Sequence, residues 1–262
     1  MIRAMRTAAS GMYAQKLNVD NIANNLANVS TTGFKKAKIE FQDVLYQVMR
    51  MAGATFQEGV IVPVELQIGY GSRAVATQRI FSQGNLSQTY NPLDIAIDGI
   101  GFLQIDLPDG TQAYTRDGAL KLSRDGEIVT SDGYLLTAGI TLPAEAEEVS
   151  IGVDGTVSVR NAGETEVTDV GQILLVKFLN PAGLSPIGRN LSIQTTSSGD
   201  PIEGVPGIEG LGEIRQGFLE LSNVETVEEM VNLIIAQRAY EINSKAIQTA
   251  DEMTQIANTL KR

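Results

Sequence analysis

Both ends of the chain carry apolar residues at the alternating three- and four-residue spacing of a coiled-coil helix. Neither Pro nor Gly interrupts the C-terminal pattern over residues 224–262. Such spacing predicts two long helices, each with an apolar seam that one helix cannot bury by itself. We expect assembly contacts from two sets of seam residues: Met5, Met12, Val19, Ile22, Leu26 and Val29 at the N-terminus, and Ile235, Ala239, Tyr240, Ile242, Ala246, Met253, Ile256 and Leu260 at the C-terminus.

Asparagine recurs beside the N-terminal seam, three or four residues apart, at Asn18, Asn21, Asn25 and Asn28. Because the Asn amide competes for backbone groups and weakens a helix, four on one side favour amide contacts to a neighbouring chain. We therefore add Asn25 and Asn28 to the expected assembly contacts; an Asn-rich face in solvent is the alternative. Gly33 can then end the helix in a left-handed conformation.

The middle of the chain predicts antiparallel β-structure. Asp-Gly pairs favour tight hairpin turns, and they begin at Asp98, Asp109, Asp117, Asp125, Asp132 and Asp154. Short strand-like runs separate them at intervals of roughly eight residues, a spacing typical of a sandwich or barrel. Because these aspartates precede turn glycines, we interpret them as turn residues and not as catalytic or calcium-binding groups. The predicted fold class is α+β, an antiparallel all-β central body flanked by long N- and C-terminal coiled-coil helices.

Residues 35–69 join the N-terminal helix to this body. Gly and Pro punctuate the second half of this segment, and its apolar residues show no clear period, which indicates an extended arm. We therefore divide the chain into an N-terminal helix (1–34), an extended arm (35–69), a β body (70–221) and a C-terminal helix (222–262).

Composition excludes most enzyme classes. The sequence contains no His and no Cys, so it cannot build a Ser-His-Asp or Cys-His nucleophile, a Cys/His zinc site or a disulfide. A net charge of −11 argues against nucleic acid as a partner, because phosphate binding needs clustered Lys and Arg. No apolar run reaches the length of a membrane span, and the N-terminus lacks the apolar segment of a cleaved signal. We expect no cofactor, metal, catalytic residue, nucleic acid or membrane insertion.

Two terminal stretches resemble the bacterial flagellar rod and hook proteins. The first is ANNLANVSTTGFK at residues 23–35, and the second spans residues 222–245. Internal stretches are also similar to this family, notably residues 83–89, 99–102 and 113–118. The resemblance covers nearly the whole chain, and within the family it is nearest to the subunit of the distal rod.

The resemblance implies a non-enzymatic structural subunit. Copies would stack into a rigid helical tube, a homo-polymer, that transmits motor torque across the periplasm to the hook. Its partners would be other rod proteins, the hook protein, the surrounding ring proteins and the flagellar type III export apparatus, which exports such chains without a cleaved signal peptide. Tyr46 and Pro63 bound a segment that corresponds to a rod-straightening arm in the similar proteins.

The residues alone leave other interpretations open. Another rod or hook axial subunit would share the same signatures. A carbohydrate-active β domain with dimerising helices would need a cleft with two convergent carboxylates. A coiled-coil adaptor would form a small closed oligomer in place of an open polymer.

Overall fold

A computed structural model of the chain describes residues 2–52, 55–57, 60–61, 64–143, 145–161 and 166–259. Two long helices, α1 (Ile2–Ala27) and α2 (Thr226–Thr259), flank the strands. The strands are β1 (Ala37–Asp43), β2 (Tyr46–Arg50), β3 (Thr55–Gln57), β4 (Val60–Ile61), β5 (Leu66–Gly69), β6 (Ser72–Arg79), β7 (Leu86–Gln88), β8 (Ile95–Asp98), β9 (Phe102–Asp106), β10 (Gln112–Thr115), β11 (Lys121–Leu122), β12 (Ile128–Val129), β13 (Leu135–Leu136), β14 (Ala146–Ile151), β15 (Thr156–Asn161), β16 (Thr168–Gln172), β17 (Leu175–Lys177), β18 (Ser185–Gly188), β19 (Leu191–Ile193), β20 (Ile202–Gly204), β21 (Glu213–Gln216) and β22 (Phe218–Glu220). The α+β class and both terminal helices are confirmed, whereas coiled-coil packing of those helices is not.

The chain divides into two compact units, of which the first contains Met1–Ala27, Ala37–Gln78 and Glu225–Arg262. Here α1 packs on α2, and the strands pair as β1 with β6, β2 with β5 and β3 with β4. Because these pairs are nested along the chain, they form one two-stranded ribbon. The ribbon lies along α1, where the Ser72 N–H donates to Ser10 Oγ over 3.4 Å. The extended arm is therefore a β-ribbon, and its return strand continues beyond residue 69.

The second unit contains Asn28–Lys36 and Arg79–Val224 and holds a nine-stranded sheet. Strand β9 organises this sheet, because β10 pairs along one edge while β17 and β13 share the other edge. All of these pairings are antiparallel, and further strands extend the sheet in the order β11-β12-β13-β9-β10-β19-β18. Leu103 and Ile105 of β9 share a fully buried cluster with Val157 of the smaller β14-β15-β16 sheet. A common core thus joins the two sheets.

Four of the six Asp-Gly pairs form the predicted hairpin turns. They begin at Asp109, Asp125, Asp132 and Asp154, and each connects two strands that pair with each other. The pairs at Asp98 and Asp117 connect strands that do not pair, so the hairpin prediction is wrong there. The Asp117 carboxylate instead accepts hydrogen bonds from Thr32 Oγ1 at 2.8 Å and Asn190 Nδ2 at 3.2 Å.

Residues 28–36, which we call the strap, follow α1 and belong to the second unit. The helix ends at Ala27, earlier than the predicted end at Gly33, but Gly33 adopts the predicted left-handed conformation with a φ of 67°. Its N–H donates to the Glu220 carbonyl over 2.8 Å. A Cβ at this position would lie 2.7 Å from the Arg116 carbonyl carbon, so both backbone conformation and space require glycine here.

Candidate assembly surface

Helices α1 and α2 run antiparallel to each other in the first unit. Asn25 Nδ2 donates to Glu229 Oε2 over 3.3 Å, and a Cβ on Gly11 would lie 3.1 Å from the Asn243 amide. Residues near the end of α1 thus lie opposite the start of α2, while residues in its first half lie opposite the middle of α2. Glu229, Ala236 and Ala250 are buried on this face, and Asn243 is half-buried. These four positions are seven residues apart, so a heptad spacing does exist in α2.

Two members of the apolar seam predicted for α2 lie on a different face of that helix. Ile235 and Ile242 each precede a position of the buried heptad by one residue, and one residue turns a helix by roughly 100°. Ile235 and Ile242 are 60% and 67% exposed. Together with their exposed apolar neighbours they form what we call the α2 stripe, which comprises Val227, Met230, Val231, Ile234, Ile235, Ile242, Met253 and Ile256. The stripe faces away from α1 and has no cover within the described residues of the unit.

The remaining predicted residues of the C-terminal set have mixed surroundings. Ala246 is exposed and Ala239 is half-buried. Tyr240 lines a surface cavity together with Lys16 and Val19 of α1, so it lies at the edge of the helix pair. Leu260 lies outside the described residues.

The predicted seam of α1 is largely covered within the first unit. Ile22 is buried, and Met5, Met12, Val19 and Leu26 are half-buried. Val29 is also half-buried but lies beyond the end of the helix, in the strap. The seam that α1 cannot bury by itself is therefore largely covered within this unit, because α2 and the ribbon pack against α1.

The asparagine side chains of α1 bind this chain's own ribbon. Asn21 Nδ2 and Asn25 Nδ2 donate to the Ala37 carbonyl over 2.7 and 2.9 Å, and Asn25 Oδ1 accepts the Ala37 N–H over 3.0 Å. The Asn25 side chain is buried, so its amide is used for contacts within this chain. Asn28 lies in the strap, where its Oδ1 accepts a hydrogen bond from Thr31 Oγ1 over 3.1 Å.

The ribbon packs against α1 but exposes many of its apolar side chains. The exposed set contains Phe41, Leu45, Tyr46, Val48, Met49, Met51, Val64, Leu66, Ile68 and Val75. Tyr46 pairs with Gly69, and its ring lies 3.1 Å from the position that a Gly69 Cβ would occupy. A hydrogen bond to the Asp43 carboxylate raises the pKa of Tyr46. The other expected boundary of the arm, Pro63, lies outside the described residues.

A buried cluster of charged side chains fixes the strap within the second unit. Glu220 Oε1 accepts hydrogen bonds from Lys35 Nζ at 2.6 Å and the Gly84 N–H at 2.9 Å, and Arg116 Nη1 donates to Oε2 at 3.2 Å. Burial lowers the pKa of Lys35, an effect that outweighs the opposing attraction of Glu220. Sequence reasoning missed this cluster, because its members are 185 and 104 residues apart.

The described part of the chain contains neither a cluster of metal-binding side chains nor a helix that could span a membrane. Over residues that the structure describes, no three His, Cys, Asp or Glu side chains come together as a metal site. Over the same residues, no helix is both long and apolar enough to span a membrane.

Comparisons with known proteins agree with the resemblance. Three family models match: the flagella basal body rod protein at residues 5–35, the flagellar hook protein FlgE/F/G D1 domain at residues 96–159, and the C-terminal region of the flagellar basal body rod FlgEFG protein at residues 215–260. The flagellar basal-body rod protein FlgG of Borreliella burgdorferi is 53% identical over the full length of both chains.

Relatives with lower sequence identity carry the same name. FlgG of Buchnera aphidicola is 47% identical over 97% of this chain and 98% of its own, and FlgG of Bacillus subtilis is 41% identical over the full length of both chains. Members of this family are structural proteins and not enzymes, so the carbohydrate-active interpretation is wrong. On full-length identity and on the three matching models, the chain belongs to the flagellar basal-body rod and hook protein family.

Proposed function

We propose that the chain is a structural subunit of the flagellar distal rod, which polymerises into a rigid helical tube and transmits motor torque to the hook. The observation that carries this proposal is the α2 stripe. Exposed apolar side chains that recur along one face of a helix mark a protein interaction surface, and α1 already occupies the opposite face of the same helix. The stripe is therefore available to another subunit while the helix pair stays intact.

The ribbon supports the same assembly. An isolated two-stranded hairpin is marginally stable in water, and this one exposes Leu45 at 82% and Met51 at 70%. Packing against neighbouring subunits would remove these side chains from water and stiffen the ribbon. We infer that it is the rod-straightening arm, with Tyr46 among its contact residues.

Family membership also places the chain among the components of the flagellar basal body. We infer that copies of the chain contact one another, the other rod proteins, the hook protein and the surrounding rings. We further infer a position in the periplasm, reached through the type III export apparatus without a cleaved signal peptide. The absence of Cys suits an oxidising compartment, because no wrong disulfide can form there.

Substitution of Ile242 tests the proposal. Ile242→Asp places a charge in the centre of the α2 stripe, where we expect loss of polymerisation and of swimming motility. The free energy of unfolding of the variant should lie within about 0.5 kcal/mol of the wild-type value, because the side chain at position 242 is exposed in the unassembled chain. Polymerisation can be followed by sedimentation and electron microscopy, and folding by circular dichroism.

Ile242→Leu is the matched control, because it keeps the position apolar. We expect this variant to polymerise and to support motility. Polymers from the Ile242→Asp variant that match those of the wild type in amount and shape would contradict the proposal.

A further inference from the structure

A small cavity lies beside the buried charge cluster of the second unit. Its volume is about 20 Å³, enough for one occupant the size of a water molecule or a monatomic ion. The strap forms one wall through Phe34 and Lys35, and the β body contributes Arg79, Phe102, Tyr114 and Arg116. All of these side chains except Arg79 are buried.

The charges around this cavity are unbalanced. Its lining includes three cationic side chains, Lys35, Arg79 and Arg116, and no carboxylate. Glu220, which does not line the cavity, pairs with both Lys35 and Arg116, whereas burial among the described residues is the only influence on the pKa of Arg79. The nearby Asp117 carboxylate lies outside the lining and binds Thr32 and Asn190. Buried charge without a partner is costly, and burial lowers the pKa of both Arg79 and Arg116.

Arg116, a residue of the cavity lining, has one donor without an acceptor within the described ranges. Arg116 Nη1 donates to Glu220 and Nη2 donates to the Gly99 carbonyl over 2.7 Å. Arg116 Nε has no hydrogen-bond partner in the described part of the chain, although the residue is only 7% exposed. An unsatisfied buried N–H on a charged group is rare in folded proteins, and it favours an acceptor that carries negative charge.

The aromatic rings hold the two guanidinium groups in place. The Arg116 guanidinium carbon lies 5.5 Å from the centre of the Phe102 ring, and that of Arg79 lies 5.8 Å from the centre of the Phe34 ring. These cation–π contacts orient both cations without adding a formal negative charge. The cavity therefore combines excess positive charge, an unused donor and a fixed, small volume.

We propose that this cavity binds a single halide ion, with chloride as the natural occupant and Arg116 Nε–H as its principal donor. The ion offsets the surplus positive charge and ties the strap to the β body. The small volume excludes sulfate, phosphate and organic anions. The site concerns the folding of the subunit, so it is independent of the assembly proposed above.

Crystals of the full-length chain grown in sodium bromide provide the structural test. We expect an anomalous bromide peak in the cavity, within hydrogen-bond distance of Arg116 Nε. A water molecule at that position, with no anomalous signal, would overturn the proposal.

Solution stability distinguishes a bound ion from an adventitious one. Urea unfolding is compared in sodium chloride and in sodium gluconate at equal ionic strength. At a chloride concentration ten times its dissociation constant, the folding equilibrium constant should be about tenfold higher in chloride than in gluconate. If the unfolding curves in the two salts coincide, any bromide seen in the crystal is an adventitious ion only, and the proposal is refuted.

Two variants complete the solution test. Arg79→Gln removes one lining cation from a partly exposed position, so the chain should still fold while the chloride effect falls at least severalfold. Arg215→Gln removes a cation of the same unit that forms an exposed ion pair with Asp98, and it should keep the full chloride effect. An undiminished chloride effect in Arg79→Gln would also overturn the proposal.

Discussion

Replacement of Glu220 by Gln should lower the free energy of unfolding of the second unit more than the same replacement at a surface glutamate. The Glu220 side chain is fully buried, and the Lys35 and Arg116 side chains beside it are 2% and 5% exposed. Gln keeps the volume and one acceptor oxygen but removes the charge, which leaves two buried cations without a counter-ion.

The expected cost follows from that geometry. Breaking a buried ion pair by removing one partner costs about 3–5 kcal/mol. Because the Gln oxygen can still accept from Lys35 or from the Gly84 N–H, we expect a loss near the lower limit, about 3 kcal/mol. An exposed pair provides the control: Arg160 and Glu148 are 45% and 63% exposed, so Glu148→Gln should cost less than about 1 kcal/mol.

Urea unfolding measures both variants. The chain has no Trp, so near-ultraviolet circular dichroism follows the packing of the tyrosines, among which Tyr114 is buried in the second unit. Far-ultraviolet circular dichroism follows the helices of the first unit separately. If Glu220→Gln and Glu148→Gln lose the same free energy of unfolding, the buried cluster does not stabilise the unit as we have argued.

Three further changes test other parts of the structure. Gly33→Ala should destabilise the chain by about 1–3 kcal/mol in thermal unfolding, because its φ of 67° is strained for Ala and its Cβ would meet the Arg116 backbone; an unchanged melting temperature would contradict this. Asn25→Ala should cost about 1–3 kcal/mol and speed hydrogen exchange at the Ala37 amide, because that half-buried N–H loses its acceptor; unchanged exchange would show that the bond is dispensable. Burial lowers the pKa of Lys35 below 10.5, so between its folded-state value and 10.5 the unfolded chain binds more protons than the folded one. The free energy of unfolding should then rise with pH across that window relative to Lys35→Met, and parallel pH profiles of the two proteins would contradict the assigned shift.

Local sequence signals predicted the secondary structure well where hydrogen bonding is local. The heptad pattern identified both helices, because a helix satisfies its backbone groups within four residues and shows its apolar spacing directly. Four Asp-Gly hairpins and the left-handed Gly33 were predicted for a similar reason: each depends on the backbone freedom of a few neighbouring residues. The family signatures near both termini carried the functional expectation.

Contacts between distant residues required the tertiary structure. The apolar periodicity of α2 predicted a single seam and did not show which face of the helix packs on α1. In the structure α1 packs against the face that includes Ala236 and Asn243, which leaves Ile235 and Ile242 exposed. The Asn25 amide had no sequence signal for its partner, Ala37, because a side-chain amide can bind any backbone group that the fold brings near. The sequence by itself determined the helices, the turns and the family. Only the tertiary structure decided which helix face is free and how Lys35, Arg116 and Glu220 come together, because the sheet pairing that brings them together depends on packing across the whole unit and not on local spacing.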